Sequence, residues 1–280
     1  MAIAPETINK MNIAIDFIEL PCYKLCNNAA RGGQPLAPLY IPGSYRERTM
    51  GMATGFGRIL RNAFGHVVGS GNVISEPRDV GDFDEVTLSG VGQLHITQTG
   101  SESLTIEAED NILPLLTSEV VGRRLKLSTE PGSHFSPKKP IRYILTVKDL
   151  SAIRISGAGN AEIPSLGTPS LQLEISGAGN MTVTGLAAES VAVTLSGAGS
   201  LTCAGEAPNE EVRISGAGSY HGEDLASVTA RVAISGTGSA YVHVSEQLDA
   251  RISGVGSIVY SGNPTVRRSV SGVGRISQRT

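Results

Sequence analysis

The chain has 280 residues, 40% of them hydrophobic, and a net charge of -3. That is ample for a buried core and supplies no basic surface for nucleic acid or an anionic membrane. Aromatic residues are only 4%, with no Trp, which disfavours recognition by stacking sugars or bases on exposed rings. The 34 glycines instead point to many sharp turns around a core of Val, Ile, Leu and Ala.

Residues 1–66 carry scattered Pro, Gly and Arg with no sustained period and read as an irregular or disordered segment. Within it Phe56, Ile59, Leu60, Ala63 and Phe64 fall at helical spacing, so a short helix over 56–64 is expected to cap the open end of the domain that begins at 67. Cys22 and Cys26 have a C-x3-C spacing but no second ligand pair, which argues against zinc and leaves their role open. The apolar stretch Met11 to Leu20 is interrupted by Asp16 and Glu19 and is followed by no small-residue cleavage site, so no export signal is legible. No apolar run has the length a transmembrane helix needs.

Residues 67–280 read as one β domain. Glu85 to Leu88, Gln93 to Thr99, Leu104 to Ala108, Arg124 to Ser128 and Arg142 to Val147 alternate apolar and polar residues. Asp110 to Val121 reads as a helical turn and Pro131 to Pro140 as a loop, so 93–150 is expected to be a long insertion in the first coils. It comes after the first S-G-x-G, whose glycines are Gly90 and Gly92.

From 151 to 280 the same element recurs at Gly157 and Gly159, Gly177 and Gly179, Gly197 and Gly199, Gly216 and Gly218, Gly236 and Gly238, Gly254 and Gly256, and Gly272 and Gly274. A sustained period near twenty residues is the signature of a solenoid. Before each Ser stand Ile155, Ile175, Leu195, Ile214, Ile234, Ile252 and Val270, and two residues earlier Ile153, Leu173, Val193, Val212, Val232 and Ala250, with mostly polar residues between. That is a strand with one buried face. A second short strand comes after the corner, its inward column reading Ala161, Met181, Leu201, Tyr220, Ala240 and Ile258.

Each unit is therefore strand, Gly corner, strand and a variable polar return, and only stacking buries its apolar face. The fold class is all-β, a parallel β-helix of about 20 residues per coil. The corner glycines are expected to adopt positive φ, the residue between them to point inward, and the preceding Ser to bond along the stack. Arg268 stands in a column that is apolar in every earlier unit, as the charged cap of a last coil would.

The recurring G-x-G leads into strands rather than one helix, unlike a dinucleotide loop, and the period is twice that of calcium-binding β-rolls and lacks their Asp. The outward column Glu162, Thr182, Thr202, His221, Tyr241 and Val259 holds no pair of carboxylates. His221 and His243 are expected on adjacent coils as surface groups, while His66, His95 and His134 fall in separate segments. Asp82, Asp84 and Glu85 read as a solvated turn, Cys203 as a small buried hydrophobe, and the sequon at Asn180 to Thr182 as incidental to the corner. No catalytic, cofactor-binding or metal-binding residue emerges, and no cofactor is called for. A rival reading is a carbohydrate-active enzyme whose site gathers Asp110, His134, Lys138 and Lys139 on the 110–140 insertion.

The repeat I-S-G-A-G-N/S, with the lead-in from Gly69 to Gly92, resembles the putative auto-transporter adhesin, head GIN domain family of bacterial proteins over Gly69 to Thr280. The resemblance implies a right-handed β-solenoid and a non-enzymatic, adhesin-like and envelope-associated role outside the cytoplasm. The partner it implies is an unidentified surface or envelope component. Self-association into a homo-oligomer is an open alternative, and an end-to-end polymer is disfavoured by the charged last coil.

Overall fold

The computed structural model describes residues 66–279; residues 1–65, with the expected helix over 56–64 and both Cys22 and Cys26, lie outside them. The chain enters through β1 (His66–Val68) and β2 (Val73–Arg78), then forms β3 (Glu85–Leu88) and β4 (Val91–Gln98) on either side of the first corner. The expected insertion is part of the solenoid. β5 (Ser103–Glu109) is followed by a hairpin of β6 (Leu116–Val121) and β7 (Arg124–Thr129), then by β8 (His134–Ser136) and β9 (Arg142–Val147). β7 and β9 lie parallel to β3 and β4 and add a rung beyond them. β5 runs antiparallel between β9 and β2, and β8 pairs with β1.

The helix expected over Asp110 to Val121 is confined to a 3-10 turn at Leu113–Leu115. The β-branched Thr117, Val120 and Val121 go instead into β6, and Gly122, at φ 64°, opens the two-residue turn into β7.

The regular coils continue as β10 (Ala152–Ile155), β11 (Ala158–Ile163), β12 (Leu166–Ile175), β13 (Asn180–Leu195), β14 (Ser200–Glu206), β15 (Asn209–Ile214), β16 (Ser219–Ile234), β17 (Thr237–Ile252), β18 (Val255–Ser261), β19 (Thr265–Val270) and β20 (Val273–Gln278). Pairing is parallel at register steps that match the sequence repeat. Ile155 lies beside Ile175, then Leu195, Ile214, Ile234 and Ile252, and all are buried. Ala161, Met181, Leu201, Tyr220, Ala240 and Ile258 form the second buried column. The return is not the variable polar loop expected. It continues as strand with register shifts and buries Leu166, Leu186 and Leu225.

The corners differ from the expectation in their physical cause. Among the corner glycines only Gly92 has positive φ, at 140°. From Gly157 onward the corners are glycine because successive coils touch there: a Cβ on Gly177 would overlap the Gly157 carbonyl oxygen, which accepts the Ala178 N–H at 3.1 Å. The residue between the glycines, Ala158, Ala178 or Ala198, is exposed, and the second glycine turns inward instead. Likewise the Ser before the corner bonds through its backbone, Ser176 N–H to the Ile155 carbonyl at 2.9 Å.

The last coil ends the stack as its charges suggest. Arg268 pairs in register with Ala250, yet its guanidinium folds over the Tyr260 ring at 5.7 Å and donates to the Tyr260 hydroxyl at 2.6 Å. A charge thus covers the final apolar rung, leaving Val270 and Val273 exposed at the end.

Candidate functional site

The outward columns are what the solenoid offers to a partner. Beside the strands that lead into the corners runs a groove of about 770 Å³. Its uncharged rail is the column Ser190, Asn209, Thr229, Gln247 and Thr265. The rail is bonded along itself: Ser190 Oγ donates to Ser170 Oγ at 3.0 Å and Thr229 Oγ1 to Asn209 Oδ1 at 3.1 Å. Its charged rail is Glu211, Arg231, Asp249 and Arg267, side by side in register. Arg231 sits 3.9 Å from Glu211 and 4.0 Å from Asp249, while Arg213 and Arg251 pair with the same two acids at 2.5 and 2.8 Å. The two acids of this rail are matched by arginines within the face, so the rail offers a partner polar contacts and shape.

A smaller hollow of about 370 Å³ lies past the corners, bounded by Gln93, His95, Asn160, Glu162, Asn180 and Thr182. Asn160 Oδ1 accepts both the Asn180 N–H at 3.0 Å and its Nδ2 at 3.2 Å, and Asn180 Oδ1 in turn accepts the Ser200 N–H at 3.2 Å. The side-chain ladder is therefore in the column after the corner, and it occupies the carboxamide of the Asn180 sequon. His95 Nδ1 is 3.3 Å from Glu162 Oε2, a pair absent from the sequence reading. Aligning Gly92 with Gly159 would have placed the two residues opposite one another, as the register does.

Other singled-out residues find different neighbours. His221 stacks on Tyr241, ring centroids 5.1 Å apart, because the register sets Tyr241 beside it; His243 bonds instead to Ser261 Oγ at 2.8 Å. His66 and His134 are register partners in β1 and β8. Asp84 and Glu85 are not a free solvated turn: Arg123 lies 3.0 Å from Asp84, and Arg124 and Arg154 each lie 2.7 Å from Glu85. Those arginines hold both carboxyls below the usual carboxylate range. Cys203 is fully buried with a free thiol, and burial pushes its pKa up to about 12.

The grouping of Asp110, His134, Lys138 and Lys139 serves a structural purpose. Asp110 accepts from Ser70 Oγ at 2.6 Å and Asn72 Nδ2 at 3.0 Å. Its neighbour Glu109, 1% exposed, takes the backbone N–H groups of Gly71, Lys138 and Lys139 at 2.5, 2.8 and 3.4 Å. The carboxylates thus tie loops to β5, and neither groove is lined by residues of 110–140. Among the described residues no group of three His, Cys, Asp or Glu side chains is placed to hold a metal ion.

Besides Glu109, a second buried acid was missed. Glu210, 4% exposed, stands in the inward column of Leu171, Val191, Ala230 and Leu248. Ser227 Oγ donates to it at 2.9 Å, while Tyr220 OH and Glu210 Oε1 are buried without a partner of good geometry. Gly222 makes room for the phenol, since a Cβ there would lie 2.6 Å from the Tyr220 hydroxyl. Extending the inward columns one step further back along the repeat would have found Glu210.

The comparison with known families fits this arrangement of stacked coils. The model of the family described as putative auto-transporter adhesin, head GIN domain matches residues 82–264. The chain belongs to this family. Its coils are also those of solved structures: a putative adhesin of Bacteroides fragilis NCTC 9343 is 28% identical, with a TM-score of 0.74, over 76% of this chain and 100% of that one. A putative lipid binding protein and a putative adhesin, both of Parabacteroides distasonis ATCC 8503, share the fold at 20% and 24% identity. Their TM-scores are 0.67 and 0.62, each over 77% of this chain and 100% of theirs. No curated protein matches the chain in sequence. Membership in the head GIN family supports an adhesin-like, structural role. No helix among the described residues is long and apolar enough to cross a membrane.

Proposed function

We propose that this head GIN domain is a non-catalytic, envelope-associated binding module that works outside the cytoplasm and holds a surface partner against the rigid outer face of its coils. The observation that carries the reading is the polar groove over β13 to β19, whose outward acids Glu211 and Asp249 are matched by arginines within the face and whose uncharged rail is pre-bonded. A backbone locked on both sides loses little conformational entropy on binding, so modest polar contacts can accumulate along several coils.

Beads coated with the 280-residue chain should adhere to envelope preparations of the producing bacterium. Replacing the groove residues Asn209 and Thr229 by Arg should cut that adhesion severalfold while leaving the far-UV spectrum and melting unchanged. Adhesion equal to that of bare beads, or indifferent to both substitutions, would overturn the reading.

A further inference from the structure

The charged rail of the groove alternates in sign from coil to coil: Glu211, Arg231, Asp249, Arg267. Each inner member has a neighbour of opposite sign, but the rail stops on a cation. Asp249 is taken by Arg251 at 2.8 Å, and Arg267 has no acidic partner among the described residues. Arg267 lies on β19, which pairs with β17 on one side only. Ser271, just beyond β19, gives its N–H to Ile252 at 2.9 Å. Alternation along a parallel strand therefore turns the N–H and C=O groups of Val266, Arg268 and Val270 toward the open edge. These residues also present what an inward column presents to the next rung: half-buried Val266 and 46%-exposed Val270 on either side of Arg268. No acidic residue follows Asp249 in the chain, whereas Arg251, Arg267, Arg268, Arg275 and Arg279 all do.

We infer that the open edge of β19 is a docking site for an extended acidic segment of a partner protein, which adds as one further parallel strand. Its outward acid would lie against Arg267 and complete the alternation, and its inward apolar residues would cover Val266 and Val270. Main-chain pairing gives such a strand its affinity and the side-chain alternation its register. Charge and strand direction select against the other occupants. The 65 residues before His66 are themselves net basic. A second copy brings either the same arginine-rich edge or the opposite end, where the face that carries β19 closes on β6, a strand that runs antiparallel to its neighbour and so does not continue the parallel ladder.

The site can be probed with a labelled peptide copying residues 245–253, whose Asp249 already sits opposite Arg267 in the neighbouring register. Fluorescence anisotropy with the full chain should show saturable binding. The same peptide with Lys in place of its Asp should bind about fivefold more weakly, the factor for one exposed charge pair. Arg267→Glu should reverse that preference. Val270→Pro, which removes an edge donor without touching the ladder to β17, should abolish binding of both peptides. Equal binding of the two peptides, a preference that Arg267→Glu leaves unreversed, or full binding by Val270→Pro would overturn the proposal. So would light scattering that shows the chain alone already dimerised through this edge, with Val270→Pro restoring the monomer.

Discussion

Glu210 sets a residue-scale conflict between charge and burial. Its neighbours above and below in the column are Val191 and Ala230, and its polar surroundings are Ser227, the Tyr220 hydroxyl, the Cys203 thiol and, beyond the phenol, Glu223. None is a cation. Burial pushes the Glu210 carboxyl up to about 7, only partly offset by the nearby Tyr220 hydroxyl and the hydrogen bond from Ser227. The carboxyl is therefore protonated in the folded state at pH values where the unfolded chain has already lost that proton. Stability is full below the ordinary carboxylate range and falls as pH rises through about 7, by an amount on the order of 3 kcal/mol. Asp84, Glu85 and Glu102 have lowered pKa values, so their contribution is lost in the opposite direction, as pH falls through the acid range. The two limbs do not overlap. Urea midpoints measured from pH 5 to 8 should decline in the wild type, and Glu210→Gln should flatten that decline and be the more stable protein at pH 8. An undiminished slope in the variant would assign the effect elsewhere.

At the scale of the element, the corner is where sequence and structure agree on the residue and differ on its cause. The glycine columns were plain from the period, but their conformation was not. A repeat reports which residue recurs and not whether the constraint is φ or contact with the coil below. Gly177 is excluded from bearing a side chain by the Gly157 carbonyl, not by its own torsion. Gly177→Ala should therefore cost about 1–3 kcal/mol through forced separation of the two coils. Gly167→Ala, where an added Cβ meets only Gln98 Oε1 at 3.8 Å, should change the unfolding midpoint little. Equal effects at the two positions would contradict the contact argument. The buried columns before and after the corner were legible for the same reason as the glycines, since alternation with period 2 marks one face. The third strand was not, because register shifts near Val183 and Thr202 break that alternation. β6 was hidden by Pro114 and by apolar spacing that helix and strand share. The groove was hidden more deeply: its rails join residues about twenty apart, each of which reads as an ordinary polar surface position until the coils are stacked.

The whole molecule behaves as a stack in which every inner coil is held by two neighbours and the terminal ones by one. At the β1 end, β2, β5 and the 3-10 turn bury Ile112, Leu113, Leu115 and Leu116 and close the core. At the other end β19 and β20 each pair on a single side, and most of their residues are exposed. In a nearest-neighbour array the terminal unit lacks one interface term, so it opens locally at lower free energy than the interior does. Native-state hydrogen exchange should rank the amides accordingly: fastest within 265–278, slowest in the buried columns of β13 and β16, and intermediate in β17, which backs the last coil. Arg268 decides how steep the gradient is at β19, since its bond to Tyr260 ties β19 to the buried column. Arg268→Ala should accelerate exchange in β19 and leave β13 at the wild-type rate. A uniform rise across all coils would mean that the solenoid opens as one cooperative unit, and an acidic strand bound on β19 should then protect every coil equally rather than the last one alone.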